Sequence, residues 1–584
     1  MSEVFRAADA LVDGLRMAGV EVIFANLGSD HPAVIEALAA ARERGETVPA
    51  VVISPHESTA LSAAHGYTLV TGRAQAVFVH VDVGTANLGG SVHNAARSQI
   101  PVLIFAGTTP YTLEGELPGT RNTYVNHLQD VHDQAGLVRP YVKWSYDIRT
   151  GRNVRQLVFR ALQIARSSPR GPVYLTGARE VLAEEVHSRI PDPDLWSPIA
   201  QLPVAHHLVD EMVARVVAAD FPILVTTALG RHPESVAKLV RLAEMLGIGV
   251  VETVPTALSF PSDHELHLGY TTDGLLERAD LVIAVDTDSP WLGIRTGSER
   301  DAFVYYIDSD PLKEDLPLWY MESDVFVRAD STVVLDQLLE SATARADRGD
   351  VAARVALFAA LHEDMRARWR GEHDAGLSAA VVAETLARLI DDDTIVLNEA
   401  ITNSEAFIRH LPRRTPGTMF ANGGTSLGWA CGAAVGVKLA EPDRDVIAVV
   451  GDGTFFLSSP SSAYWMSERY GAPFLTIVLD NGGWNATKRN VLRQYRQGVA
   501  EKSDSYWVNL DHSADLPGVA AAAGNASAAT VSSVGDLEVT LATALATVRA
   551  GRSAVVAVRL PSISAQVPER PVGRGGLTPP DEPQ

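Results

Sequence analysis

Two short stretches in the C-terminal third carry residue types that bind metal and phosphate. Gly451-Asp452-Gly453-Thr454 follows the apolar run Val446-Ile447-Ala448-Val449-Val450, and Asp480-Asn481-Gly482-Gly483-Trp484 follows a second run, Phe474-Leu475-Thr476-Ile477-Val478-Leu479. Between Gly453 and Asp480 lie 26 residues. Mg2+ takes about six oxygen ligands in near-octahedral geometry, one or two of them from carboxylates or amides and the others from phosphate and water. Asp452 and Asn481 could supply such oxygens from two strand ends. The flanking glycines let backbone approach a diphosphate, and the start of a following helix favours negative charge. Alone, Gly-Asp-Gly is an ordinary strand-to-helix turn; the spaced asparagine after a second strand makes it a metal and diphosphate candidate.

A second chemical signal lies far away in sequence. Val51-Val52-Ile53-Ser54-Pro55-His56-Glu57 ends a short strand on a carboxylate, and a helix rich in small residues (Ala60, Ala63, Ala64, Gly66) follows. Such a helix suits close packing against a cofactor or a second subunit. The plainer reading of Glu57 is an acid favoured by the dipole of that helix.

Taken together, these residues resemble the thiamine-diphosphate enzyme family, in its acetolactate synthase-like and 2-hydroxyacyl-CoA lyase-like group. The resemblance covers about residues 1 to 185 and 375 to 560. It implies thiamine diphosphate and Mg2+ as cofactors, with Asp452, Asn481 and the main-chain carbonyl of Gly483 as metal ligands. Gly451, Gly453, Thr454 and Trp484 would line the diphosphate. The first asparagine of the family's pair is Asp480 here, whereas the metal-binding second one is kept as Asn481. Glu57 would face the aminopyrimidine ring and favour the tautomer that removes the thiazolium C2 proton.

The stretch Asp82-Val83-Gly84-Thr85-Ala86-Asn87-Leu88 is similar to the segment that closes the pyrimidine pocket, and implies a cofactor role for Asn87. Leu128-Gln129-Asp130 is similar to the family's phenylalanine-glutamine-glutamate segment, so Gln129 would face the bound intermediate and Leu128 replaces an aromatic ring. Asn26-Leu27-Gly28-Ser29-Asp30-His31 resembles instead a loop of benzoylformate decarboxylase, which makes Ser29 and His31 candidates for substrate contact or, equally, loop caps. Asn398-Glu399-Ala400-Ile401-Thr402-Asn403-Ser404 resembles the same enzyme near the diphosphate, which brings in Asn398, Thr402 and Asn403. Leu427 stands where the family props the cofactor in its bent form, or is an ordinary core leucine.

The elements that must hold these residues alternate short apolar runs with amphipathic helical stretches, the pattern of doubly wound parallel sheets. Three blocks of this kind are expected: a pyrimidine-binding domain over 1–188, a central nucleotide-binding-like domain over 198–345 and a diphosphate-binding domain over 370–562, with a mobile tail or lid at 563–584. The segment Ile190-Pro191-Asp192-Pro193-Asp194 suits a linker, because its prolines disfavour helix. In the central block a glycine-rich phosphate loop is missing, and Asp308-Ser309-Asp310 follows a strand where relatives contact a ribose or where a polar strand end simply sits. FAD, ADP or CoA in that domain all stay open.

The balance of 49 Lys and Arg against 71 Asp and Glu gives a net charge of −22, which disfavours nucleic acid and anionic membrane. Cys431 is the only cysteine, so no intrachain disulfide can form. No apolar run approaches the roughly 18 residues of a membrane helix, and the start of the chain lacks the pattern of an export signal. A cytoplasmic enzyme is expected. Against this acidity, Lys488, Arg489, Arg493 and Arg496 form a basic stretch that could attract an anionic substrate or face solvent. The reading is a thiamine-diphosphate-dependent lyase or carboligase acting on a small 2-oxo acid, in a homodimer or homotetramer with active sites between subunits. A 2-hydroxyacyl-CoA lyase is the alternative, and a catalytically silent cofactor-binding relative the alternative of another class.

Overall fold

A computed structural model of the chain describes residues 5–187, 189–291, 302–345, 350–371, 376–510 and 514–563. Within them the runs that read as strands become three parallel sheets. The first contains β1 (Val22–Ala25), β2 (Ala50–Ile53), β3 (Gln75–Val79), β4 (Val102–Thr108), β5 (Trp144–Ile148) and β6 (Val173–Ala178), in the order β2-β1-β3-β4-β6-β5. The second contains β7 (Pro222–Thr226), β8 (Gly249–Glu252), β9 (Leu281–Val285), β10 (Phe303–Asp308) and β11 (Val325–Arg328), in the order β11-β10-β9-β7-β8. The third contains β12 (Ile395–Glu399), β13 (Met419–Ala421), β14 (Val446–Gly451), β15 (Leu475–Asp480), β16 (Ser527–Val531) and β17 (Ala554–Arg559), in the order β13-β12-β14-β15-β17-β16. Helices cover both faces, which is why strands such as β3 and β15 are buried along their whole length and lack a polar alternation.

The first and third sheets share one strand order. In each, the chain leaves the first strand in one direction and the third in the other, so a crevice opens at the carboxyl ends between them, the usual place for a ligand in open α/β sheets. In the first sheet the switch falls between β1 and β3, and in the third between β12 and β14.

The two outer domains are joined by helices that nearly touch. The helix Glu57–Thr71 packs on the helix Ala430–Ala440, in a core that includes Leu61, Ala64, Val92, Trp429, Ala433 and Val437. A Cβ at Gly66 would lie 2.1 Å from the Ala433 carbonyl oxygen, and one at Gly436 would lie 1.8 Å from that of Ala63. Cys431 is buried in the same layer. The central domain has a separate core around Ile223, Val250, Ile283 and Tyr305. The helix Val351–Gly371 follows the central sheet; its Phe358 meets Phe221 and its Trp369 stacks on Tyr270. The proline-rich linker forms a short turn, Pro193–Trp196, started by the Asp192 side chain, which accepts from the Asp194 amide at 3.1 Å. Of the expected tail only Ile563 falls among the described residues; the rest lies outside them.

Glu399, the last residue of β12, anchors the start of helix 430–440. Its Oε1 accepts from the amides of Gly428 (3.0 Å) and Trp429 (3.1 Å), and its Oε2 from that of Ala430 (2.8 Å). Burial raises its pKa to about 7, against the pull of those backbone donors.

Two outcomes follow from this packing. Gly436→Ala should lower stability by about 1–3 kcal/mol through overpacking, read as a drop in thermal midpoint, whereas Gly371→Ala, with nothing within 4 Å of its new methyl, should not. Because the folded-state pKa of Glu399 lies above the ordinary 4.5, its contribution is fully present below 4.5 and is lost as pH rises through about 7. Glu399→Gln cannot ionise, so its thermal midpoint relative to wild type should move in its favour across that window; a constant difference would contradict the assignment.

Candidate active site

At the end of β2 the chain turns into helix 57–71, started by His56, whose ring nitrogen Nδ1 accepts from the Ser58 amide at 3.2 Å. Glu57 is only 7% exposed. Its Oε2 accepts from Asn87 Nδ2 at 3.0 Å, and its Oε1 lies against Gly84, where a Cβ would approach to 3.3 Å. Gly84 and Asn87 are on the helix Val81–Arg97, so two sequence-predicted residues, Glu57 and Asn87, meet directly.

That helix also holds the loop of Leu427. Asn94 Nδ2 donates to the Ser426 carbonyl (2.8 Å), Asn94 Oδ1 accepts from the Ser426 amide (3.1 Å), and Ser98 Oγ accepts from the Gly423 amide (3.1 Å). Between the two contact zones Gly89 breaks the helix with φ 19° and ψ −102°. One kinked helix thus contacts the acid through its first half and fixes the half-buried Leu427 through its second.

The crevice between β1 and β3 is filled by a network the sequence did not single out. His80, directly after β3, places Nδ1 2.6 Å from Asp30 Oδ1. Its pKa is raised, first by that hydrogen bond and against the effect of burial, with the Asp30 charge, a hydrogen bond to the Gln129 side chain and the Asp82 charge adding to it. Burial alone would raise the Asp30 pKa, yet hydrogen bonds from His31 and His80 hold it well below the usual carboxylate range. Gln129 therefore sits beside His80, while Leu128 points outward and is 74% exposed. Ser29 lies exposed on the same loop. His31 does not reach open space: it is fully buried, its ring lies against Phe78 and Phe105, and its Nδ1 is 2.8 Å from Asp30 Oδ1. In this geometry His31 supports Asp30 rather than facing a substrate. The signal that could have found His80 is its place, a polar residue ending an otherwise apolar strand at a switch point.

In the third sheet, β14 and β15 run side by side with Gly451 opposite Leu479, which brings the Asp452 and Asn481 stretches together. Asp452 and Thr454 are buried, and Asn481 accepts on Oδ1 from the Gly483 amide at 3.3 Å. Gly483 has φ 150°, and a Cβ there would lie 2.2 Å from the Val508 carbonyl oxygen; its own carbonyl accepts from the Asn485 amide at 3.2 Å. A Cβ at Gly453 would lie 2.5 Å from Trp484 Nε1, so only glycine leaves room for the indole. The departure at Asp480 has a physical reason. Asp480 stands opposite Arg559 in the strand register and pairs with it, so its carboxylate serves the sheet.

Asn398 lies at the end of β12, where its Nδ2 donates to Ser404 Oγ at 2.8 Å. The turn Ile401–Asn403 that follows touches β14, and the Thr402 carbonyl accepts from Arg489 Nη1 at 3.3 Å. Asn403 Nδ2 is buried without a hydrogen-bond partner. A buried donor without an acceptor is costly, and a phosphate oxygen would satisfy it. Among the described residues no group of three or more His, Cys, Asp or Glu side chains is arranged to hold a metal ion. A divalent ion at Asp452 would therefore rely on one carboxylate, amide and carbonyl oxygens, and phosphate, the donor set that suits Mg2+. The residues present fit both groups.

Other expectations change in detail. Lys488 of the basic stretch pairs with Asp504 at 3.4 Å and donates to the Ile563 carbonyl, while the Ile563 amide donates to the Asn481 carbonyl at 3.1 Å. In the central domain Asp308 is buried and accepts from Lys313 (2.9 Å) and the Asp310 amide (2.8 Å), so its carboxylate is engaged within the chain. Asp286 is likewise paired with Arg231 at 3.1 Å.

Comparison with known proteins agrees with this geometry. The N-terminal thiamine pyrophosphate (TPP) binding domain of TPP enzymes matches residues 5–137, and the C-terminal TPP binding domain matches residues 400–558. Benzoylformate decarboxylase of Pseudomonas aeruginosa is 26% identical over 495 residues, covering 81% of this chain and 85% of that protein. An acetolactate synthase of Mycobacterium leprae is 25% identical over 499 residues, covering 82% and 76%. The crystal structure of benzoylformate decarboxylase from Polynucleobacter necessarius superimposes with a TM-score of 0.77 at 19% identity, over 96% of this chain and all of that one, and so shares the fold. The two cofactor-binding halves, folded as paired sheets around one kinked helix, establish that the chain belongs to the thiamine pyrophosphate enzyme family, whose relatives are decarboxylases and synthases acting on carbon-carbon bonds.

Proposed function

We propose that this enzyme, with Mg2+ and thiamine diphosphate, decarboxylates a 2-oxo acid and releases the remaining fragment as an aldehyde or transfers it to a second carbonyl. The observation that carries this reading is His80, held by Asp30 beside Gln129 in the crevice of the same sheet that carries Glu57. A raised pKa favours the cationic imidazole, the form suited to meet a carboxylate. Thiamine diphosphate, when bound, supplies a carbon nucleophile and an electron sink for the bond that breaks.

The chain's own groups divide the remaining tasks. Asp452, Asn481 and the Gly483 carbonyl would hold the metal, with Gly451, Gly453 and Thr454 in the turn beside the diphosphate and Asn398, Thr402 and Asn403 across the crevice. Trp484 closes over Gly453, and Leu427 would prop the cofactor's ring system. Glu57, steadied by Asn87, would hydrogen-bond the aminopyrimidine. His80 and Gln129 would orient the substrate's carboxylate, with Ser29 at the rim, and His80 would hold a proton for the carbon from which carbon dioxide departs. Similarity to benzoylformate decarboxylase supports a decarboxylase, and similarity to acetolactate synthase supports fragment transfer. The working unit is a homodimer or homotetramer. Support for this comes from Trp484, Tyr495, Val499 and Trp507, large apolar side chains of the 484–507 segment that are exposed in the single chain.

Screening pyruvate, benzoylformate and other 2-oxo acids for carbon dioxide and aldehyde should reveal turnover that depends on both cofactors. Formyl-CoA from 2-hydroxyacyl-CoAs, with no carbon dioxide from any 2-oxo acid, would replace this reading by a lyase one. Glu57→Ala should reduce kcat by roughly 100-fold or more while leaving metal-dependent cofactor binding within a few fold. Asp452→Ala should instead abolish metal-dependent binding, followed by quenching of tryptophan fluorescence. Turnover that survives both substitutions would sink the proposal.

A further inference from the structure

We propose that Asp30 is a positioning residue: from the loop after β1 it fixes both the ring of His80 and the backbone of Val81, and so sets where the second imidazole nitrogen points. This inference rests on the decarboxylase reading for its catalytic consequence, but its geometry stands alone. Asp30 is 3% exposed, and each of its oxygens has a separate task. Oδ1 is 2.6 Å from His80 Nδ1, and Oδ2 accepts from the Val81 amide at 3.1 Å.

Val81 explains why two contacts are needed. Its φ of 29° lies in the left-handed region, which is strained for a β-branched residue and persists only when surroundings over-determine it. The Asp30 carboxylate is one such determinant, since it binds the amide at the strained residue. The surroundings are shaped to match. A Cβ at Gly28 would lie 2.1 Å from His80 Nδ1, and one at Gly107 would lie 2.1 Å from Asp30 Oδ2, so both neighbours are glycine where the dyad passes. Behind Asp30, His31 places Nδ1 2.8 Å from Oδ1 and lies against Phe78 and Phe105, which limits movement of the carboxylate.

Asp30 also sets the charge of His80. The groups that act on this imidazole are Asp30 from the loop after β1, with His31 behind it, Asp82 from helix 81–97, and the neutral Gln129 from the segment after β4. The Asp30 hydrogen bond is the largest influence and favours the cation. Protonated His80 therefore survives to higher pH than an ordinary histidine, and activity that needs it falls as pH rises through the raised pKa.

Asp30→Asn keeps the shape and removes the charge. In the holoenzyme the alkaline limb of the kcat/KM profile should move down by about one pH unit, with kcat/KM reduced about tenfold and cofactor affinity within about twofold of wild type. If Asp30 acts through His80, adding Asp30→Asn to His80→Ala should change kcat/KM by less than about twofold. Independent effects in that double variant, or an unmoved alkaline limb, would overturn the proposal. Titration of histidine ring signals by NMR, with the His80 signal assigned from His80→Ala, needs no turnover. A lower His80 pKa in Asp30→Asn supports the coupling even if the substrate reading fails, and an unchanged one refutes it.

Discussion

Contact between helices 57–71 and 430–440 is the constraint on which the rest of this molecule depends. Glycines at 66 and 436 leave no room for even a methyl group, so backbone meets backbone and the two outer sheets are held at a fixed separation. Interiors packed this closely transmit position rather than absorb it. Glu57 begins one of these helices, and the Leu427 loop leads into the other. An acid and a half-buried leucine from opposite ends of the sequence are thereby set relative to each other without any direct bond between them.

The second organising fact is topological. Both outer sheets reverse their winding at the third strand, and each collects its polar groups at that reversal: Asp30 and His80 in one, Asn398, Glu399 and Asp452 in the other. Strand interiors there are largely apolar, so the groups free to do chemistry come from strand ends and the turns that follow them. The central sheet follows the same winding, but its strand-end acids are committed to Arg231 and Lys313. A shared architecture therefore does not impose a shared use.

Much of this was legible in the sequence, because apolar runs bounded by glycine and acid read directly as strands with ligand-facing ends. The Asp452 and Asn481 stretches and the Glu57 turn each carry such a signature. What stayed hidden were facts of direction and partnership. His80 directly follows an apolar strand, and only the fold brings it to Asp30, fifty residues away. His31, in a polar loop, gave no sign that its ring turns inward onto two phenylalanines. The aspartate at 480 read as a blemish in a motif until strand register paired it with Arg559. Local patterns report periodicity, whereas these three depend on contacts between distant segments.

The glycine-lined helix contact has a further consequence, for the order in which the protein can assemble. During synthesis the first sheet emerges complete, with Ala63, Ala64 and Gly66 on a face whose partner has not yet been made. Contacts between residues hundreds of positions apart close late and expose apolar surface meanwhile. For most of its translation the nascent chain must carry an open, sticky helix face, which only the third domain can cover.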